Sequence, residues 1–91
     1  MKVHYSNERR GFQDLRVQGG LSIGESSAIG DYDDAMDIPG SSALWLECPR
    51  ESYNREEIAN IIEIFQWWLD SGRLPDSEQL PQLGEGIEVE V

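Results

Sequence analysis

The feature that most constrains the fold is one amphipathic segment in the second half of the chain, NREEIANIIEIFQWWLDSGRL. Asn54 is a typical helix N-cap, and Glu57 follows it at the spacing of a capping box. Gly72 stands where a left-handed residue commonly ends a helix, and Pro75 prevents continuation. The sequence therefore predicts an α-helix over residues 55–71.

The apolar residues of this helix cover more than one face. The residues at the spacing of one helical stripe are predicted to form the inner face: Ile58, Ile61, Ile62, Phe65 and Leu69. This interpretation turns Trp67 and Ile64 away from the core and places Trp68 on one flank of the inner face. Two alternatives are open for these three residues: other parts of the chain cover them, or they form an exposed patch that binds a partner.

Short segments on both sides of the helix have the alternation of β-strands. Strands are predicted over residues 2–5, 12–17, 21–23, 43–48 and 87–91. In the fourth, Leu44 and Leu46 share one face and Trp45 takes the other. The last is predicted to be an edge strand protected by Glu88 and Glu90, and the alternative is a frayed acidic tail. We therefore expect an α+β fold, with a small antiparallel β-sheet of three to five strands and one main α-helix, about 55–71, packed on one face.

The 91 residues predict one small acidic domain spanning 1–91. Residues 24–42 are poor in apolar side chains and are predicted to form a long acidic loop, and residues 75–86 an irregular C-terminal segment. No apolar run has the length of a membrane span. The single cysteine, Cys48, allows no internal disulfide, which favours a cytoplasmic location.

The charge balance predicts the kind of partner. The chain has 18 acidic and 7 basic residues and a formal net charge of −11. This magnitude exceeds the roughly 2–8 charges that keep a small domain soluble. Such a field repels nucleic acid and acidic membranes and attracts basic protein surfaces. We therefore expect a basic protein surface as partner, with no direct contact to nucleic acid or membrane.

The sequence contains no catalytic or cofactor-binding motif. Four aspartates cluster in DYDDAMD, but positions six and twelve counted from Asp31 hold Met36 and Ser42, where an EF-hand loop needs Gly and Glu. His4 is the only histidine and lies in a predicted strand, where we expect a surface or structural imidazole, and the sequence assembles no catalytic triad order around it. We therefore expect no enzyme, no metal and no cofactor.

The acidic surface leads to the first functional hypothesis, which is inhibition by nucleic-acid mimicry. An acidic protein can place carboxylates where phosphates would lie on a nuclease, as anti-restriction and anti-CRISPR proteins often do. This rests on an analogy of surface charge and on no motif. The predicted partner-binding residues are Glu25, Asp31, Asp33, Asp34, Asp37 and Glu47.

A second hypothesis is a structural or adaptor subunit that binds through an aromatic helix patch, or through a homodimer contact. Its predicted residues are Ile64, Trp67 and Trp68. A third hypothesis is an immunity or antitoxin-type protein, which would bind its partner through the same acidic surface as in the first hypothesis.

Overall fold

A computed structural model describes residues 1–9, 12–17, 20–26, 42–48, 52–84 and 86–91. Its elements, in chain order, are β1 (Lys2–Arg9), β2 (Phe12–Val17), β3 (Ser22–Ser26), β4 (Ala43–Glu47), α1 (Arg55–Ser71), a 3₁₀ helix (Leu80–Gln82) and β5 (Glu88–Glu90). The strands form one five-stranded sheet and α1 is the main helix, so the predicted α+β fold is confirmed.

The sheet has the strand order β4-β3-β2-β1-β5 and is mixed rather than purely antiparallel. β1–β2, β2–β3 and β3–β4 are antiparallel pairs. β5 instead runs parallel to β1, with Lys2 opposite Glu88 and His4 opposite Glu90. The connection from β4 to β5 contains α1 and crosses from one edge of the sheet to the other, and such a crossover can deliver a strand in the parallel direction.

The bounds of α1 follow from its two caps. Asn54 Oδ1 accepts from the Glu57 backbone N–H at 2.8 Å, and Glu57 Oε1 accepts from the Asn54 N–H at 3.0 Å. Gly72 has a φ of 78° and donates its N–H to the Trp68 carbonyl at 2.8 Å. The capping box and the left-handed terminator are therefore confirmed, because both satisfy backbone groups that a helix end leaves unpaired.

The core lies between one sheet face and the layer that contains α1 and the segment after it. Val3 and Tyr5 of β1 and Leu15 and Val17 of β2 are buried, at the two-residue spacing of strands with one face in the core. The completely or almost completely buried residues of the opposite layer include Ile64, Leu74, Pro75 and Leu80.

The segment predicted to be irregular, 75–86, therefore contributes to the core through its 3₁₀ helix. Asp76 Oδ1 organises the turn before this helix by accepting from the backbone N–H groups of Glu78 and Gln79, at 2.9 and 2.8 Å.

The rotation of α1 differs from the prediction. Ile64 is completely buried and Ile61 is 6% exposed. Ile58, Ile62 and Leu69 were predicted to face inward but are 41%, 56% and 67% exposed. The helix is thus turned toward the side that carries its tryptophans.

Aromatic side chains give the physical reason for this rotation. Phe65 and Trp68 pack against the buried core cluster. An aromatic ring removes more apolar area from water than an isoleucine does, so turning α1 to bring Trp68 to the core beside Ile61 and Ile64 gains more hydrophobic stabilisation.

The edges of the sheet also differ from the alternation pattern. Leu46 of β4, predicted to share one face with the half-buried Leu44, is 57% exposed, and Val91 after β5 is 87% exposed. Both lie on or beside an edge strand, where the sheet covers a side chain on one flank only. β3 continues to Ser26, so the start of the predicted 24–42 loop belongs to the sheet, and residues 27–41 lie outside the described residues.

Candidate protein-binding surface

The acidic residues predicted to bind a partner fall into three groups. Asp31, Asp33, Asp34 and Asp37 lie outside the described residues. Glu47 is exposed at the end of β4. Glu25 is only 3% exposed, which contradicts its prediction as a surface contact.

Glu25 is instead an internal anchor between β3 and the segment that follows α1. Arg73 Nη1 lies 3.2 Å from Glu25 Oε2, and the Leu74 backbone N–H donates to Glu25 Oε1 at 3.2 Å. The Gln13 amide, oriented to satisfy its hydrogen bonds, donates to the Leu74 carbonyl and to Glu25 Oε1. A buried carboxylate requires such partners, because desolvation without them is costly. These contacts give Glu25 a structural role inside the fold.

Tyr5 belongs to the same internal region. Burial raises the pKa of the Tyr5 phenol above 10.0, and the negative charges of Asp76 and Glu25 act in the same direction. A side-chain hydrogen bond with Gln13 lowers this pKa, but the burial effect is larger. The neutral phenol is therefore the form that the fold favours.

The predicted aromatic patch is divided between the interior and the surface. Ile64 is completely buried and cannot contact a partner, which corrects that prediction. Trp67 and Trp68 are half-buried. The Trp68 Nε1 atom is buried and has no hydrogen-bond partner among the described residues.

The apolar surface that α1 presents to solvent is a different one. It consists of Ile58, Ile62, Phe65 and Leu69, hereafter the apolar stripe. Ile58, Ile62 and Leu69 are exposed, whereas Phe65 is half-buried. Their spacing of four, three and four residues aligns them along one side of the helix. The sequence signal for this surface is an apolar arc wider than one helix face can bury, although the pattern does not show which part remains outside.

A groove of about 320 Å³ continues the apolar stripe at the N-terminal end of α1. Its lining residues are Tyr53, Asn54, Arg55, Ile58, Ala59 and Ile62. Two stripe residues therefore form part of its wall, and the groove offers a recess beside an otherwise convex helix surface.

Three exposed acidic residues form a second line on α1. They are Glu56, Glu63 and Asp70, hereafter the carboxylate row. A seven-residue spacing places successive members about 10 Å apart along the helix axis and nearly in line. At about 100° per residue, Glu63 lies roughly 100° around the helix from Ile62. The exposed side of α1 thus has an apolar edge and an acidic edge.

The sheet face away from α1 carries a small polar cluster. His4 pairs with Arg16 and Ser6 with Asp14 across β1 and β2, and these four residues line a cavity of about 140 Å³. Within the described ranges, no group of three or more His, Cys, Asp and Glu side chains is placed to hold a metal ion. No described helix is long and apolar enough to cross a membrane.

Comparisons with known proteins add no relative. No protein-family model, no curated protein and no solved structure matches this chain.

Proposed function

We propose that this protein is a non-enzymatic inhibitor that occupies the basic, nucleic-acid-binding surface of a partner, such as a nuclease or another defence effector. The carboxylate row is the observation that carries this proposal. It presents Glu56, Glu63 and Asp70 at regular intervals on a helix that is capped at both ends. Regular carboxylates on a rigid support can contact lysines and arginines that otherwise contact phosphates.

The overall charge supports the same function. A net charge of −11 accelerates association with a basic surface and makes that association sensitive to ionic strength. Glu47 and the aspartates Asp31, Asp33, Asp34 and Asp37 contribute to this field. Bound in this way, the protein excludes nucleic acid from the site by direct competition.

The test uses the purified chain and a panel of nucleic-acid-binding enzymes. Binding is measured by calorimetry at increasing salt and in the presence of a DNA competitor. We expect the affinity to fall with salt and DNA to displace the protein. Each exposed ion pair contributes about 0.5 kcal/mol, so the triple variant Glu56→Gln, Glu63→Gln, Asp70→Asn should bind about tenfold more weakly.

A matched control removes three exposed acidic side chains elsewhere: Glu78→Gln, Glu88→Gln and Glu90→Gln. The two triple variants have the same net charge, so a smaller loss in the control separates the effect of the carboxylate row from that of total charge. Binding that ignores both salt and DNA would contradict the proposed mimicry.

A second candidate function is an adaptor subunit that binds through apolar contacts. The exposure of Ile58, Ile62 and Leu69 favours it, because contiguous exposed apolar side chains mark interaction sites. Under this function, Ile62→Gln abolishes binding and the carboxylate-row variant retains it. Mimicry by charge alone predicts the reverse.

A further inference from the structure

We infer that the apolar stripe and the carboxylate row together bind an amphipathic, basic α-helix of the partner. This inference rests on the proposed function, because it specifies the form in which a basic partner surface meets α1. It assigns the apolar stripe to the partner's apolar residues. It assigns the carboxylate row, which lies roughly 100° around α1 from Ile62, to lysines or arginines whose long side chains reach past the edge of the seam.

The spacing of the apolar stripe favours a helix as the occupant. Ile58, Ile62, Phe65 and Leu69 alternate four- and three-residue steps, which is the repeat of a coiled-coil seam. The stripe spans about 16 Å along the axis, or three turns. A partner helix with the same repeat can place its side chains between these residues over that whole length.

The groove supplies a place for one larger partner side chain. Its wall includes Tyr53, Ala59 and the first two residues of the apolar stripe. The groove is shallow and open to solvent, so an aromatic or a long basic side chain can lie along its apolar wall. Arg55 also lines the groove, which favours an aromatic ring at this point over a second cation.

Charge complementarity separates a basic partner from a second copy of this chain. A second copy would bring another net charge of −11 to the contact. In an antiparallel two-fold contact through the apolar stripe, the two carboxylate rows would also lie on the same side of the interface, because the two-fold axis is then perpendicular to both helices. A helix with lysines or arginines beside its apolar residues instead places opposite charges there.

The experiment uses the whole chain and three synthetic peptides of about three heptads. The first has Leu at the seam positions and Lys at the flanking ones. The second has the same composition in an order that mixes the helix faces. The third is the first peptide with Glu in place of Lys. Calorimetry measures affinity, and backbone amide NMR shifts locate the contact.

We expect the first peptide to bind at least about tenfold more tightly than the mixed-face peptide, and to shift the amide signals of α1. The double variant Ile62→Gln, Leu69→Gln should abolish this preference. Its matched control, Leu46→Gln with Val91→Gln, changes two exposed apolar residues outside α1 and should leave it unchanged. Circular dichroism checks that both double variants retain the fold.

Four results would overturn the inference. If the first two peptides bind equally well and the carboxylate-row variant weakens both, the proposed function still holds but the partner surface need not be an amphipathic helix. If none of the three peptides binds, the inferred helical partner is also rejected. The proposed function is then decided separately by the panel of nucleic-acid-binding enzymes. If sedimentation shows that the protein is a dimer and the Ile62→Gln, Leu69→Gln variant is a monomer, the apolar stripe binds a second copy of this chain instead. Equal binding of the acidic peptide contradicts the basic partner itself.

Discussion

The Arg73 guanidinium lies 3.2 Å from the carboxylate of Glu25, whose side chain is 2% exposed. The pair connects β3 to the residues that follow α1, 48 positions later in the chain. Removing the cation leaves a buried carboxylate with hydrogen bonds but without its opposite charge. We expect Arg73→Ala to lower the free energy of unfolding by about 2–4 kcal/mol, measured by urea denaturation.

Arg55→Ala is the control for this prediction, because Arg55 is an exposed arginine at the other end of α1. Its effect should stay within about 0.5 kcal/mol. Equal stability losses in the two variants would show that the Glu25–Arg73 pair has no special role.

A second prediction concerns Gly24 of β3 and Trp45 of β4, which are directly opposite each other in the sheet. A Cβ atom on Gly24 would lie 2.2 Å from Trp45 Cε2. Alanine usually stabilises a strand relative to glycine, but here the indole occupies the space. Gly24→Ala should therefore destabilise the protein by about 1–3 kcal/mol.

The double variant Gly24→Ala, Trp45→Ala tests this cause. If the indole is responsible, Gly24→Ala costs much less in the Trp45→Ala background, as a double-mutant cycle measures. Ser22→Ala, two residues earlier on the same strand face, should change stability little. An unchanged cost in both backgrounds would mean that strand conformation, and not the indole, disfavours alanine.

A third prediction concerns the N-terminus of α1. Asn54→Ala removes the acceptor of the Glu57 N–H and should cost about 1 kcal/mol, seen as a lower thermal midpoint. Asn54→Asp keeps an acceptor oxygen and should retain most of the stability. Because the groove and the apolar stripe begin at this end, we also expect Asn54→Ala to weaken partner binding modestly.

The raised pKa of Tyr5 predicts a loss of stability at high pH. The unfolded chain releases the phenol proton near pH 10.0, whereas the folded chain holds it to higher pH because burial disfavours the phenolate. Between these two pKa values the unfolded state binds fewer protons, so the free energy of unfolding falls as pH rises. Below pH 10.0 the contribution is fully present.

Tyr5→Phe is the matching variant. In urea unfolding experiments, it should remove the contribution of Tyr5 to the fall in the free energy of unfolding at alkaline pH. In ultraviolet absorbance, it should remove one of the three phenol titrations. An alkaline decline as steep in Tyr5→Phe as in the unmodified protein would assign the effect to other groups.

The predictable part of the fold is the part that short-range chemistry determines. Asn54, Glu57 and Gly72 bound α1 through contacts within a few residues, so the sequence reveals them. The direction of β5 and the burial of Glu25 depend on residues far away in the chain, and no local pattern carries that information.

The orientation of α1 is the clearest example at the candidate site. Ile62 and Ile64 are the same residue type on the same helix, yet Ile62 is 56% exposed and Ile64 is completely buried. The choice depends on how the rings of Phe65 and Trp68 fit against the sheet, which is a property of packing. The acidic edge, by contrast, follows directly from the heptad spacing of Glu56, Glu63 and Asp70.

The pairing of β1 with β5 has a consequence for how the chain acquires its structure. The hairpins of β1 with β2 and of β2 with β3 join neighbours in sequence and can assemble early, whereas β5 follows α1 and pairs with the first strand. During synthesis, the outer backbone edge of β1 therefore stays unpaired until nearly all of the described chain has left the ribosome and β5 can pair with it. Over that interval the nascent sheet has an open edge at which strands of other molecules can add, and the arrival of β5, with its two outward glutamates, ends that exposure at Lys2–His4.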